Sequence, residues 1–180
     1  MKKILVLLLI LITFAGCEKD DICDASENTT PSLVIEFYDS AFPTIQRNVV
    51  NLKAVAVGQT DGIVFNTALP VSDPTRYLFN GNKVKLPLKS DTTTTQYNLT
   101  INFGNANPAF VNNDKLTINY TTNSVYVSRA CGYATNFTLS GTTPLTVTDA
   151  PNLTNLWINS ITILTSTINN ENETHVKIFL

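Results

Sequence analysis

The stretch YNLTINFGNANPAFVNNDKLTINY, Tyr97 to Tyr120, carries the pattern that decides the fold. Tyr97, Leu99, Ile101 and Phe103 alternate with Asn98, Thr100 and Asn102. After the turn-forming GNANP segment, Leu116, Ile118 and Tyr120 alternate with Thr117 and Asn119. Successive side chains of a strand point to opposite faces, so a period of two marks a strand with one face buried and the other wet.

The same pattern extends in both directions from this stretch. Leu33, Ile35 and Phe37 share one face of a first strand, with Val34, Glu36 and Tyr38 on the other. Val49 to Val57 is more continuously apolar, as a strand buried on both faces would be. Val84, Leu86 and Leu88 alternate with Lys83, Lys85 and Pro87; a proline and outward lysines predict a protected edge strand. Downstream, Thr121 to Ser124 reads as a short connection to a strand carrying Val125, Val127, Arg129 and Cys131 on one face. Asn136 to Ser140, Leu145 to Thr148, Leu156 to Ile168 and Val176 to Leu180 follow as strands. In the last, Val176, Ile178 and Leu180 face the core, with His175 and Lys177 toward water. No stretch keeps an amphipathic helical period, and abundant Thr and Asn favour strands and turns. The expected fold is all-β, a single antiparallel β-sandwich over residues 31–180, immunoglobulin-like or related, with an open β-barrel as the alternative.

The first residues belong to export rather than to the fold. Lys2 and Lys3, an apolar run from Ile4 to Phe14 and the small pair Ala15 and Gly16 predict a signal peptide over residues 1–16. The run is too short for a membrane span. Apolar residues followed by Ala-Gly-Cys resemble a bacterial lipobox, in which Cys17 becomes the acylated amino terminus; the usual Leu is here Phe14. Multiple acyl chains anchor stably, at about 0.8 kcal/mol per buried methylene. Residues 17–30 then form a lipidated tether. Within it Lys19, Asp20 and Asp21 resemble the acidic export signal of Bacteroidota lipoproteins. The expected location is therefore the outer membrane, at the cell surface or on its periplasmic face. With Cys17 taken by lipid, Cys23 and Cys131 are the remaining thiols in an oxidising compartment, and an even pair is expected to bridge.

The chemistry of the chain is sparse. Of 12 basic residues two lie in the signal, so 10 face 14 acidic ones in the mature chain, close to −4. No basic stripe exists to follow a phosphate backbone, and no nucleic acid is expected as partner. His175 is the only histidine. HExxH, GxSxG and CxxC are absent, so the sequence points to no metal, no cofactor and no catalytic residue. Glu36, Asp39, Asp61, Asp73, Asp91 and Asp114 supply carboxylates, and two facing each other would suffice for a glycan hydrolase. Turn chemistry accounts for most of their positions, as at Asp61-Gly62. Arg129, on an apolar face, needs a carboxylate if buried, and Glu36 or Asp39 would serve. Asp39-Ser40-Ala41 and Asp91-Thr92-Thr93 resemble the three-residue O-glycosylation signal of exported Bacteroidota proteins, which marks Ser40 and Thr92.

Ile22-Cys23, TPSLVIEFYD at Thr30 to Asp39, LPL at Leu86 to Leu88, SRACGY at Ser128 to Tyr133 and HVKIF near the end span the mature chain. Together they resemble an uncharacterised family of small lipoproteins from flavobacteria and their relatives, a domain of unknown function. The resemblance implies no established activity. It implies an envelope partner, since the family's genes often neighbour one for an outer-membrane β-barrel protein. The expected function is a non-catalytic, membrane-anchored binding or assembly module for such a protein or a glycan, marked by an exposed aromatic patch around Tyr126, Tyr133 or Trp157. The alternative is a carrier of a small ligand or a carboxylate-based hydrolase.

Overall fold

The structure, a computed structural model, describes residues 22–23, 30–149 and 155–180. The expected signal peptide over residues 1–16, Cys17 and the run Lys19, Asp20, Asp21 lie outside the described residues. Among the described residues eleven strands follow in order: β1 (Leu33–Tyr38), β2 (Val49–Ala56), β3 (Phe79–Gly81), β4 (Lys83–Leu86), β5 (Thr94–Ile101), β6 (Asn112–Ser128), β7 (Gly132–Leu139), β8 (Leu145–Asp149), β9 (Ser160–Ile163), β10 (Thr167–Ile168) and β11 (Val176–Phe179). A four-stranded sheet runs β4-β1-β11-β9, and a larger one runs β10-β7-β6-β5-β2-β3 with β8 also along β6. Each sheet ends in edge strands, so the molecule is a sandwich and not a closed barrel. The pairing is antiparallel throughout except where β1 lies parallel to β11.

The inward residues of the two sheets meet in one core. Leu33, Ile35, Phe37, Leu86, Val176 and Ile178 come from the smaller sheet. Leu52, Leu99, Leu116, Ile118, Tyr120 and Phe137 come from the larger. The alternation read around Tyr97 to Tyr120 thus places its apolar members correctly from Tyr97 to Leu99 and from Leu116 to Tyr120. Phe103 does not join them: Asn102 turns with φ +53 and carries the chain out of β5. The edge position expected for Val84 and Leu86 is also found, since β4 ends the small sheet.

Four other expectations are corrected. Val49 to Val57 is not buried on both faces, because a bulge at Asn51 (φ +46) turns Val49 and Leu52 both inward and leaves Val50 outside. Thr121 to Ser124 is not a connection; it is the middle of β6, a strand of 17 residues. Leu156 to Ile168 is not one strand: Trp157 and Ile158 lie in a loop, β9 joins the small sheet and β10 the large one. His175 takes the predicted register but is fully buried.

The long strand β6 organises the larger sheet. Its first half pairs with β5 on one side and β8 on the other, and its second half pairs with β7. Because β7 and β8 both run antiparallel to β6, they follow one another along it, separated by the turn at residues 140–144. Beyond Thr122, past the short pairing of β10 with Phe137 and Thr138, β6 and β7 continue as a two-stranded arm. The six residues from Asn123 to Ser128, at about 3.3 Å each, carry it roughly 20 Å outward.

Candidate functional sites at the two ends of the sandwich

Strand directions give the molecule two distinct ends. Thr30, the ends of β2 and β4, the starts of β5 and β11 and the arm lie at one, the arm end. The loops at residues 39–48, 102–111 and 155–159 gather at the other, the loop end. Tyr hydroxyls close the arm end: Tyr97 donates to the Pro87 carbonyl and Tyr120 to the Lys89 carbonyl at 2.7 Å. Burial pushes the Tyr97 hydroxyl up to about 12, so it stays protonated as that donor.

The arm is closed by the sequence Ser128-Arg129-Ala130-Cys131-Gly132. The Cys131 N–H donates to Ser128 Oγ at 3.0 Å, and Gly132, at φ +69, re-enters the sheet through a conformation that favours glycine. Cys23 is disulfide-bonded to Cys131 with their Cα atoms 4.8 Å apart, so the chain at Cys23 is fastened to the tip of the arm. Next to this bond Tyr126 and Tyr133 face each other across the strands, ring centroids 5.4 Å apart, and are 58% and 71% exposed. Thr30 meets the arm as well, its Oγ1 accepting from the Thr135 N–H. Arg129 lies in the turn at the end of β6 and is exposed, so the condition of burial under which it would need Glu36 or Asp39 does not arise. Glu36 and Asp39 have other cationic partners, Lys83 at 2.9 Å and Arg47 at 3.7 Å. Burial opposes ionisation of Glu36, but hydrogen bonds from Lys83, Thr174 and Tyr38 outweigh it and hold its carboxyl below the usual range.

At the loop end a carboxylate pair was not visible in the sequence. Asp114 of β6 stands opposite Asp149 of β8. Asp114 is wholly buried, and its Oδ2 accepts from the N–H groups of Trp157 (3.0 Å) and Ile158 (2.9 Å). Its Oδ1 and that of Asp149 are buried without a hydrogen-bond partner. Burial pushes the Asp114 carboxyl up, and the neighbouring Asp149 adds to the shift against the two backbone donors. Asp149 in turn accepts from the Asn155 N–H at 2.8 Å. The Trp157 indole donates to the Leu99 carbonyl at 3.0 Å, so Trp157 is buried and forms no surface patch, unlike the expectation. This pair therefore holds the 155–159 loop on the sheet. A two-carboxylate hydrolase needs both groups to reach substrate; Asp114 is committed to backbone.

The remaining residues singled out in the sequence are dispersed. His175 Nδ1 accepts from the Val34 N–H at 2.9 Å, and the His175 backbone N–H donates to the Val34 carbonyl at 3.0 Å. Burial lowers its pKa, against the pull of Glu173, Glu171 and the Asn170 backbone. Ser40 lies at the loop end, donating to the Leu180 carbonyl at 2.7 Å and accepting from Asn159. Thr92 lies at the arm end in an exposed turn, its hydroxyl on the Thr94 carbonyl. Among the described residues no three His, Cys, Asp or Glu side chains are placed to share a metal ion.

Apolar side chains stand out on the loops opposite the arm. Phe42, Ile45, Val50 and Phe110 are exposed there, Phe42 and Phe110 each at 62%. Backbone bonds from Asn102 to the Val50 carbonyl (2.8 Å) and from Phe103 to Asn51 (3.1 Å) dock the 102–111 loop beside Val50, and the Lys53 ammonium lies over the Phe103 ring. Asp39 Oδ1 accepts from the N–H groups of Ala41 and Phe42 and shapes the turn that presents Phe42.

No curated protein and no solved structure matches the chain. A family model does, over residues 51–180, from the bulge in β2 to the end of β11 and including the arm, Cys131 and the Asp114/Asp149 pair: the chain belongs to the family described as Family of unknown function (DUF6452).

Proposed function

We propose that the protein is a cell-envelope lipoprotein of the outer membrane, of the flavobacterial type, held by acyl chains on Cys17. In this reading it acts as a non-catalytic binding or assembly module. Its loop end receives the partner, an outer-membrane β-barrel protein or a glycan. The observation that carries the reading is the polarity of the molecule. The Cys23–Cys131 bond fixes the segment that follows the anchor to one end, and Phe42, Ile45, Val50 and Phe110 are exposed on loops at the opposite end. Exposed apolar loops on a rigid scaffold are a common form of interaction surface. The burial of Asp114 and its use by Trp157 and Ile158 support a structural role for the opposed pair Asp114 and Asp149, which leaves a hydrolase with less support.

The test places the photoreactive residue p-benzoylphenylalanine at Phe42 or Phe110 in cells, with a control at exposed Thr138. A discrete envelope adduct at the two loop positions and none at Thr138 is the expected result. Equal labelling at all three, or none, overturns the loop end as the binding surface. Mass measurement of the mature amino-terminal peptide checks the anchor, and an unacylated Cys17 removes it. Protease treatment of intact cells separates the two faces of the membrane; complete protection excludes surface display.

A further inference from the structure

We infer that the tip of the β6–β7 arm, through Tyr126 and Tyr133, rests in the interfacial layer of the membrane that carries the anchor. This rests on the reading of Cys17 as the lipid-bearing residue. Six residue steps separate Cys17 from Cys23, and six steps of extended chain span at most about 20 Å. The disulfide brings Cys131, in the turn of the arm, to that same point. The arm runs roughly 20 Å beyond the body. The tip is thus the part of the fold that meets the membrane first, and the leash is too short to let it stand far off.

The tip has the composition that an interface accepts. Tyr126 and Tyr133 are the large exposed aromatics beside the clasp, packed edge to face, and exposed Ile22 adjoins Cys23. An apolar ring with a polar hydroxyl suits the boundary between headgroups and acyl chains, where tyrosine is enriched. The arm positions between them and the body are Thr, Asn and Ser apart from the facing pair Val125 and Ala134. No Asp or Glu occurs from Lys115 to Thr148, in a chain with 14 acidic residues, so nothing on the arm repels phospholipid phosphates. The Tyr pair contributes little to the body of the protein, since the arm around it is exposed from Thr121 to Tyr126. The second surface of the molecule, the apolar loop end, is turned away by the same geometry and stays open to a partner.

The experiment uses full-length acylated protein reconstituted in vesicles of phosphatidylethanolamine and phosphatidylglycerol, with p-benzoylphenylalanine at Tyr126, Tyr133 or, as the distal control, Phe42. Mass measurement of Cys17 is made on the same samples. The expected result is phospholipid adducts at Tyr126 and Tyr133 several-fold above those at Phe42. Acylated Cys17 with no lipid adduct at the two tyrosines, or with protein adducts there instead, overturns the inference and leaves the anchor standing. Unacylated Cys17 overturns both, and the mass of that peptide distinguishes the two failures.

Discussion

The two halves of β6 obey one alternation and meet opposite fates. From Asp114 to Tyr120 every second side chain is buried, flanked by β5 and by β8, and faces the smaller sheet. From Thr121 to Tyr126 all six side chains are exposed, with β7 as the one partner along that stretch. Strand geometry alone therefore does not make core; the second sheet does. A two-stranded ribbon without a sheet to cover it is marginal in water, and here a covalent bond at its tip supplies what burial does not.

Breaking that bond should produce the largest change. Cys23 and Cys131 are 108 residues apart in sequence, and closing such a loop contributes roughly 4.7 kcal/mol in the chain-entropy model. Cys131→Ser should lower stability in urea by up to about that amount. In hydrogen exchange it should expose the arm amides from Asn123 to Ser128 while those from Leu116 to Tyr120 stay protected. Equal protection of both halves in the variant would mean that the arm holds itself, and the contrast would fail.

The next change probes the buried half. Asp114→Ala leaves the N–H groups of Trp157 and Ile158 buried without an acceptor, at about 3 kcal/mol for the pair. Asp114→Asn keeps an acceptor and removes the charge opposite Asp149, so it should equal or exceed the wild type at neutral pH. The sign follows from the raised carboxyl. The neutral form is favoured by folding, so this contribution is greatest below the ordinary carboxylate range and declines as pH rises through the folded pKa. Glu36 and Glu171 act oppositely: both carboxyls are held low, and their contribution is lost as pH falls below the unfolded value of about 4.5. Chemical denaturation of both Asp114 variants at pH 7 decides the matter. If Asn costs as much as Ala, the charge and not the acceptor holds the loop.

How much of this was legible in the sequence depends on which force set each feature. The core faces of β1, β4 and β11 and the core runs of β5 and β6 were readable because burial imposes the period of two. The division of Leu156 to Ile168 was not, because β-branched residues look alike in either sheet, and Asn155 at φ +77 with the Asp114 acceptor decides where the chain turns. Asp149 gave no signal of its own; only the register of β8 sets it against Asp114. His175 was read on the correct strand face, yet packing beyond its own strand buries that face, and local pattern carries no information about that. The clasp was readable from cysteine parity, but its place at the tip of an arm needed the length of β6.

A third effect separates the buried histidine from the acids. Folding depresses the His175 pKa, so the native state resists a proton that the unfolded chain accepts near pH 6.5. Its contribution is full above that pH and is lost as pH falls through the folded value. His175→Asn, whose Oδ1 replaces Nδ1 as acceptor for the Val34 N–H, should flatten the stability profile between the folded pKa and about pH 6.5. An unchanged slope in that window would assign it to another group.

The smallest effect is expected at the exposed tyrosines, and it sharpens the contrast most. A cross-strand aromatic pair contributes about 0.2–1 kcal/mol relative to small residues. Replacing Tyr126 and Tyr133 by Thr, which keeps strand propensity, should shift global stability by less than about 1 kcal/mol. Replacing Leu116 by Ala in the other half of the same strand should cost about 2–5 kcal/mol, because it empties a wholly buried site. A loss at the tyrosines comparable to that at Leu116 would make the ring pair a second core. A small loss leaves two large aromatics in solvent that the fold does not require, and their presence beside the disulfide then calls for a contact outside the chain.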